Sequence, residues 1–231
     1  MIKHRLTASN RLVPIALGLS LIALIMVGCR NNNPGTVKDI DGNVYHTVTI
    51  GSQVWMVENL KVTRYRNGDP IPDVTGRVQW SNIKAGAYCN YNNNDSNAAI
   101  YGHLYNWYAV NDTRGIAPQG WHVPDDKELK TLIRYLGGDS IAGGKLKKSV
   151  TAHEEGPNAL TTGHSGFAAI PGGYRNGYDG LFHLLGQNFF CWSTTEIDTS
   201  VWIRMISFDG VGVYRNYTDK ANGFSVRCIK D

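Results

Sequence analysis

Cys29 is the residue whose surroundings indicate the most definite chemistry. Three basic residues precede an apolar run over residues 12–27, and Gly28 stands directly before the cysteine. This order is typical of a bacterial lipoprotein signal, in which the thiol receives diacylglycerol and the chain is then cut before the cysteine. We therefore predict a signal peptide over residues 1–28 and a mature chain that begins at a lipidated Cys29.

An uncleaved transmembrane anchor is the alternative interpretation of this segment. A membrane helix needs about 20 predominantly apolar residues, whereas the run here is shorter and contains Pro14. Each buried acyl methylene contributes about 0.8 kcal/mol, so several chains on one cysteine hold a protein firmly at a membrane. The expected location is the bacterial cell envelope, on the outer membrane, with the periplasmic and the outer face both open.

Other residue types that could do chemistry lack the necessary spacing. His122, His153, His164 and His183 are scattered, without the close pairing that is typical of zinc ligands. Ser165 does not occupy a Gly-x-Ser-x-Gly turn after a strand. We therefore expect no metal, no cofactor and no catalytic residue.

Acidic residues at two places have structural explanations. Asp39 and Asp41 alternate like the first ligands of a calcium loop, but the following residues do not continue the ligand series, so we expect a turn. Asp125 and Glu128 have the spacing of a capping box, which predicts a helix between Pro124 and the following glycine pair.

Strand patterns lie on both sides of this helix. The segments 44–50 and 53–57 flank Gly51-Ser52, which predicts a hairpin. Apolar and polar residues alternate over 201–208, and Asp209-Gly210 predicts a second hairpin. Further strands are predicted over residues 167–170, 190–193, 211–217 and 224–229. The expected fold is α+β, with a small antiparallel sheet.

Two shorter helices are also expected. Leu104, Trp107 and Val110 recur at spacings that would bury one aromatic face. Residues 142–148 favour another short helix, whose lysines, including Lys147, would lie on a solvated face.

Charge and length limit the class of protein. The signal segment carries three of the 23 Lys and Arg residues and none of the 19 Asp and Glu residues, which leaves the mature chain a net charge of +1. No basic stripe interleaved with aromatics suggests a nucleic-acid surface, so no nucleic-acid partner is expected. We predict a flexible tether over residues 29–36 and one folded domain over residues 37–231.

Six ordered segments of this domain resemble one known family, the Fibrobacter succinogenes major paralogous domain. The segments are Asp39-Ile40-Asp41-Gly42-Asn43-Val44-Tyr45, Gln53-Val54-Trp55-Met56 with Glu58-Asn59-Leu60, Tyr101-Gly102 with Leu104-Tyr105-Asn106-Trp107-Tyr108-Ala109-Val110, Gly120-Trp121-His122-Val123-Pro124, Pro171-Gly172-Gly173-Tyr174-Arg175 and Gly223-Phe224-Ser225-Val226-Arg227-Cys228. The resemblance implies an exported, often lipid-anchored envelope protein, and it implies no reaction. More distantly, the pattern is similar to the C-type lectin and formylglycine-generating enzyme superfold. It therefore implies a single C-type-lectin-like domain with a small twisted sheet, one or two main helices and long loops.

The cysteines allow several arrangements. With Cys29 lipidated, Cys89, Cys191 and Cys228 remain in an oxidising compartment, so one pair and one free thiol are possible in three ways. The resemblance implies a Cys89–Cys228 bridge with Cys191 buried, since similar family members have cysteines at those two positions. A nucleophilic Cys191 is the alternative, although Phe190 and Trp192 indicate an apolar, inert site.

The superfold does not transmit function, and no catalytic pattern was found in the sequence. We therefore expect a non-catalytic recognition or scaffolding module for a glycan or an envelope protein. Its candidate ligand-binding residues are Tyr178, Phe182 and His183, in the predicted loop 176–188. The alternatives are an envelope enzyme that acts on polysaccharide, which would need two nearby carboxylates, and a purely structural surface protein.

Overall fold

A computed structural model describes Met1, residues 35–148 and residues 163–231. Residues 2–28 of the predicted signal segment lie outside the described residues, as do Cys29 and His153. The chain divides into residues 1–31 and residues 32–231, and every element below belongs to the second unit. Among the described residues, no helix has the length and apolar character needed to cross a membrane.

The strands of the described residues form four antiparallel sheets. In chain order they are β1 (Thr36–Lys38), β2 (Val44–Ile50), β3 (Gln53–Met56), β4 (Tyr88–Cys89), β5 (Leu104–Tyr105), β6 (Trp121–His122), β7 (Gly172–Arg175), β8 (Phe182–Leu185), β9 (Asn188–Ile197), β10 (Ser200–Ser207), β11 (Tyr214–Asp219) and β12 (Ile229–Lys230). One sheet has the order β1-β2-β3-β12-β6 and another the order β11-β10-β9, while β4 pairs with β5 and β7 with β8.

Short helices connect these sheets. They are α1 (Arg77–Asn82), α2 (Asp95–Tyr101), α3 (Trp107–Val110), α4 (Asp126–Tyr135) and α5 (Ala142–Leu146), with a 3-10 turn at Tyr91–Asn93. The combination of helices and antiparallel sheets is an α+β fold, as predicted.

Local sequence signals place two elements correctly. The β2–β3 hairpin turns at Gly51, whose φ of 62° is a conformation that glycine adopts without strain. At the start of α4, the Asp125 side chain accepts a hydrogen bond from the Glu128 amide, and the Glu128 side chain accepts one from the Asp125 amide. The helix buries Leu129 and Leu132 against the core.

Several predicted elements are shorter than expected. Leu104 belongs to strand β5, so the helix of this region is reduced to α3. Residues 167–170 form only a bridge at Ala169, and residues 224–228 precede the two-residue β12. The β10–β11 hairpin has a connection over residues 208–213 rather than a tight turn. In each case, the residues contact segments that are distant in the chain instead of extending the predicted local element.

The prediction that the lysines of residues 142–148 lie on a solvated face is wrong for Lys147. Its side chain is fully buried, and its ammonium donates hydrogen bonds to the carbonyls of Phe208 at 3.1 Å and Gly210 at 2.5 Å. Burial lowers the pKa of Lys147. The lysine therefore fixes the β10–β11 connection, while the neighbouring Lys148 is exposed.

Buried arginines hold other segments in the same way. Arg175 donates to the carbonyls of Val74 at 2.5 Å, Thr75 at 3.0 Å and Gly180 at 3.1 Å, and its guanidinium lies 4.6 Å from the ring centroid of Trp80. These bonds fix the end of β7, where the loop to β8 begins.

Candidate functional site

An open groove of about 850 Å³ lies between the three-stranded sheet and the β7–β8 hairpin. We call it the aromatic groove. It is lined by residues of β7 to β11 and of the segments that follow β7 and β11: Tyr174, Asn176, Leu184, Phe190, Trp202, Ile203, Arg215, Asn216, Tyr217, Thr218, Asn222 and Phe224.

The base of the aromatic groove is a packed group of rings. Phe190 and Phe224 stack with centroids 5.0 Å apart and planes 11° apart. The Tyr174 ring lies 5.2 Å from Phe190 and 5.6 Å from Phe224. Since both phenylalanines are buried, the half-buried Tyr174 rests on a fixed support.

Trp202 and Tyr217 occupy directly paired positions of β10 and β11. Their ring centroids are 5.8 Å apart and the planes are nearly perpendicular, at 89°. The Arg215 guanidinium lies 3.2 Å from the Trp202 ring centroid. Tyr217 is 65% exposed, and the alternation of side chains along the strand places its ring, with Trp202 and Arg215, on the face of the sheet opposite to Asn216.

Asp126, the first residue of α4, holds Arg215 in this position. Its two carboxylate oxygens accept hydrogen bonds from Nε and Nη2 of Arg215, both at 3.0 Å. Asp126 also pairs with Arg204 at 2.8 Å and with Lys130 at 3.1 Å. Burial alone would raise the pKa of Asp126, but the hydrogen bonds from these three cations outweigh it and lower the pKa. Asp126 is thus a structural ion-pair centre.

Amide side chains supply polar groups to the aromatic groove. The Asn216 carboxamide makes no hydrogen bond to any residue that the structure describes, so its donors and acceptor remain available. Asn176 Oδ1 accepts a hydrogen bond from the Tyr178 amide at 2.7 Å. Asn222 is already engaged, since it accepts from the Gly177 amide at 2.7 Å and donates to Thr218 Oγ1 at 2.5 Å.

The lining of the aromatic groove carries little charge. Arg215 is the charged side chain among the described lining residues, and these include no Asp or Glu. The groove can therefore offer ring faces and neutral hydrogen-bonding groups, but its described lining supplies no pair of carboxylates for acid–base chemistry.

A second opening of about 490 Å³ adjoins the loop after β7. We call it the loop cleft. It is lined by Ser81, Asn82, Lys84, Asn176, Gly177, Tyr178, Asp219, Ala221 and Asn222. Tyr178 is 94% exposed and lies at its rim.

The three predicted ligand-binding residues lie in different environments. Tyr178 lines the loop cleft. The Phe182 ring packs 5.1 Å from Tyr91 and 4.8 Å from the Arg175 guanidinium, which indicates a packing role. The His183 ring lies 5.2 Å from Tyr174 and packs against this groove residue.

The predicted Cys89–Cys228 bridge is absent from the structure, where Cys89, Cys191 and Cys228 are all free and buried. Cys89 packs in one hydrophobic cluster with Trp80 and Leu104, whereas Cys228 packs in another. Burial raises the pKa of Cys89 to about 12 and that of Cys191 to about 11, although Arg227 acts in the opposite direction on Cys191. A raised pKa makes Cys191 a poor nucleophile at neutral pH.

Asp39 and Asp41 use their carboxylates within the chain. Asp39 accepts hydrogen bonds from the amides of Asp41 and Asn43 at 3.0 and 2.9 Å and from the Tyr45 hydroxyl at 2.6 Å. Asp41 accepts from Arg64 Nε at 2.6 Å. This geometry is the predicted turn, and among the described residues no group of His, Cys, Asp or Glu is arranged to hold a metal.

His122 joins the start of α4 to the last residue of the chain. Its Nδ1 lies 2.7 Å from Asp231 Oδ1, and its Nε2 lies 2.9 Å from Glu128 Oε1. Partial burial would lower the pKa of His122, but the two carboxylates outweigh it and raise the pKa. Both nitrogens have partners, which indicates a structural role.

Sequence analysis missed Asn216 on β11. Both strands were predicted, but the register that pairs Asn216 with Ile203 depends on the long connection over residues 208–213. The available signal was the polar, aromatic composition of β11, which is unusual for a strand that packs into a core.

The chain is similar to one known protein family. A sequence model described as the Fibrobacter succinogenes major domain matches residues 48–230. Comparisons with curated proteins and with solved structures gave no match.

Proposed function

We propose that this chain, which belongs to the Fibrobacter succinogenes major domain family, is a lipid-anchored envelope protein whose domain binds glycans without altering them. The anchor rests on the sequence before Cys29, and the outer membrane is its proposed location. The binding role rests on the aromatic groove.

A C-type-lectin-like architecture for residues 37–231 is part of this proposal. In that superfold, the two ends of the domain lie close together on a small twisted sheet. The pairing order supports it, since β1 and β12 belong to the same five-stranded sheet.

The chemistry of the aromatic groove favours a sugar as ligand. A sugar ring presents C–H groups on its faces and hydroxyl groups around its edge, so it needs an aromatic surface beside hydrogen-bonding groups. The Tyr174 ring supplies an aromatic surface, and Asn216, which pairs with Ile203 and shares its face of the sheet, supplies a carboxamide without a partner among the described residues. This juxtaposition is the observation that carries the proposal.

Binding without hydrolysis is favoured over the polysaccharide-enzyme alternative. Glycoside hydrolysis generally uses two carboxyl groups on either side of the scissile bond. Asp126, the acidic residue bonded to Arg215, is occupied by three cations and is not available as a general acid.

The test uses the purified full chain in detergent micelles, applied to arrays of glycans and of peptides. Replacing the exposed carboxamide removes hydrogen bonds to the sugar hydroxyls, so Asn216→Ala should weaken binding of the glycan hit by about fivefold or more. Tyr214→Ala is the matched control, because Tyr214 lies on the same strand, is 52% exposed and does not line the groove.

Two results would contradict the glycan-binding role. One is equal loss of affinity in Asn216→Ala and Tyr214→Ala, which would show that the glycan does not bind in the groove. The other is binding to peptides with no glycan binding, which would make a protein the ligand. The anchor is tested separately by intact mass measurement, in which the mature chain should start at Cys29 and carry acyl chains.

A further inference from the structure

The aromatic groove and the loop cleft meet at two asparagines. Asn176 and Asn222 line both openings. A cleft of roughly 300–1,000 Å³ accommodates one small ligand. Each opening has that size by itself, at about 850 Å³ and about 490 Å³. A ligand that occupied both would therefore be a chain rather than a single small molecule.

The junction between the two openings is tightly built. Asn222 bonds to the Gly177 amide and to Thr218 Oγ1, which ties the loop after β7 to β11. A Cβ atom on Gly177 would lie 2.6 Å from the carbonyl carbon of Ala221. The close approach requires glycine here and keeps the two openings in a fixed relation.

Tyr178 is presented by an ordered loop. The Asn176 amide donates to the Leu181 carbonyl at 2.8 Å, and the Gly180 amide donates to the Asn176 carbonyl at 2.9 Å. Arg77 Nε donates to the Asp179 carbonyl at 2.6 Å. A ring that is 94% exposed on such a loop contributes little to packing, and it lies at the rim of the loop cleft.

We infer that the two openings form one continuous site for a linear oligosaccharide, an inference that rests on the glycan-binding role proposed above. The oligosaccharide runs from Asn216 in the aromatic groove, past the shared Asn176 and Asn222, to Tyr178 in the loop cleft. Sugar units in the groove stack on its rings, and units beyond the junction gain the contact with Tyr178. Affinity therefore depends on the length of the glycan.

The experiment measures affinity against ligand length by calorimetry. The probes are cello-, xylo-, chito- and galacturonate oligosaccharides, each from the disaccharide to the octasaccharide, with the full chain in detergent micelles. In the series that binds, the octasaccharide should bind more tightly than the disaccharide. Tyr178→Ala should weaken octasaccharide binding by about fivefold, the loss of one contact, and leave disaccharide binding unchanged.

The variants separate the possible outcomes. Asn216→Ala should weaken the binding of both lengths, and Tyr214→Ala should weaken neither. Affinity that stops rising at the disaccharide, or octasaccharide binding that is insensitive to Tyr178→Ala, overturns the continuous site while leaving the aromatic groove as a glycan site. Equal losses for both lengths in Tyr178→Ala also overturn it. If no length of any series binds, the glycan-binding role fails as well.

Discussion

Asn59 Oδ1 accepts hydrogen bonds from Nε and Nη2 of Arg227, at 3.2 and 2.7 Å, although 168 positions separate the two residues in the chain. Arg227 is fully buried and also donates to the carbonyls of Met56 at 3.1 Å and Phe167 at 2.5 Å. Burial lowers its pKa to about 10. Arg227 therefore makes a core contact and is not part of a ligand site.

Asn59→Ala should lower the free energy of unfolding by about 3 kcal/mol, because it leaves a buried guanidinium with fewer acceptors. Urea denaturation measures the change. Asn67→Ala is the control, since Asn67 is exposed and bonds only to nearby Asp69. If the free energy of unfolding fell by the same small amount in both variants, the Asn59–Arg227 contact would not be a main support of the core.

Lys147→Ala should lower the free energy of unfolding by about 2–4 kcal/mol, since it removes a buried stem and leaves two carbonyls without their donor. Lys148→Ala should change it by less than about 0.5 kcal/mol, because Lys148 is exposed. Thermal and urea unfolding of the two variants compares adjacent lysines directly. Equal effects of the two substitutions would contradict the buried structural role of Lys147.

His103 should make the protein sensitive to mild acid. It is buried beside Asn90 Oδ1, at 2.6 Å from Nδ1, and burial lowers its pKa to about 4 from the ordinary 6.5. Between these values the unfolded chain binds a proton that the folded chain does not, so stability is full above pH 6.5 and falls as the pH decreases toward 4. The full loss is about 3 kcal/mol.

The urea midpoint measured across this pH range checks the expectation. In His103→Gln the dependence between pH 6.5 and 4 should largely disappear, since glutamine keeps a hydrogen-bond donor and does not titrate. If the urea midpoint of this variant depended on pH as in the wild type, the acid sensitivity would belong to other groups.

Asp126→Asn should destabilise the fold by about 3 kcal/mol, because Arg204 would lose its carboxylate while it remains buried. Asp198→Asn is the control for the loss of one negative charge, because Asp198 is exposed. Wild-type stability of Asp126→Asn in urea would refute the structural role given to this ion-pair centre.

The three buried cysteines should be unreactive in the folded protein. Iodoacetamide at neutral pH should leave them unmodified, because burial excludes the reagent and raises their pKa values. After unfolding in urea without reductant, mass spectrometry should find alkylation at Cys89, Cys191 and Cys228. Alkylation of one cysteine alone would show that the other two form a disulfide.

Elements that depend on near neighbours in the chain were predictable from residue types alone. The capping box of α4 joins residues three positions apart, and the β2–β3 hairpin turns at a glycine that adopts a positive φ. The α+β class and the family follow from the same local patterns, repeated in order along the chain.

The burial of polar residues and the position of the groove depend instead on how distant segments pack. Lys147 looked solvated because its partner Phe208 is 61 positions away. Tyr174 of β7 and Asn216 of β11 line one groove only because the sheets pack together. Such contacts depend on sheet register and on distant segments, and neither is encoded in a short window of residue types.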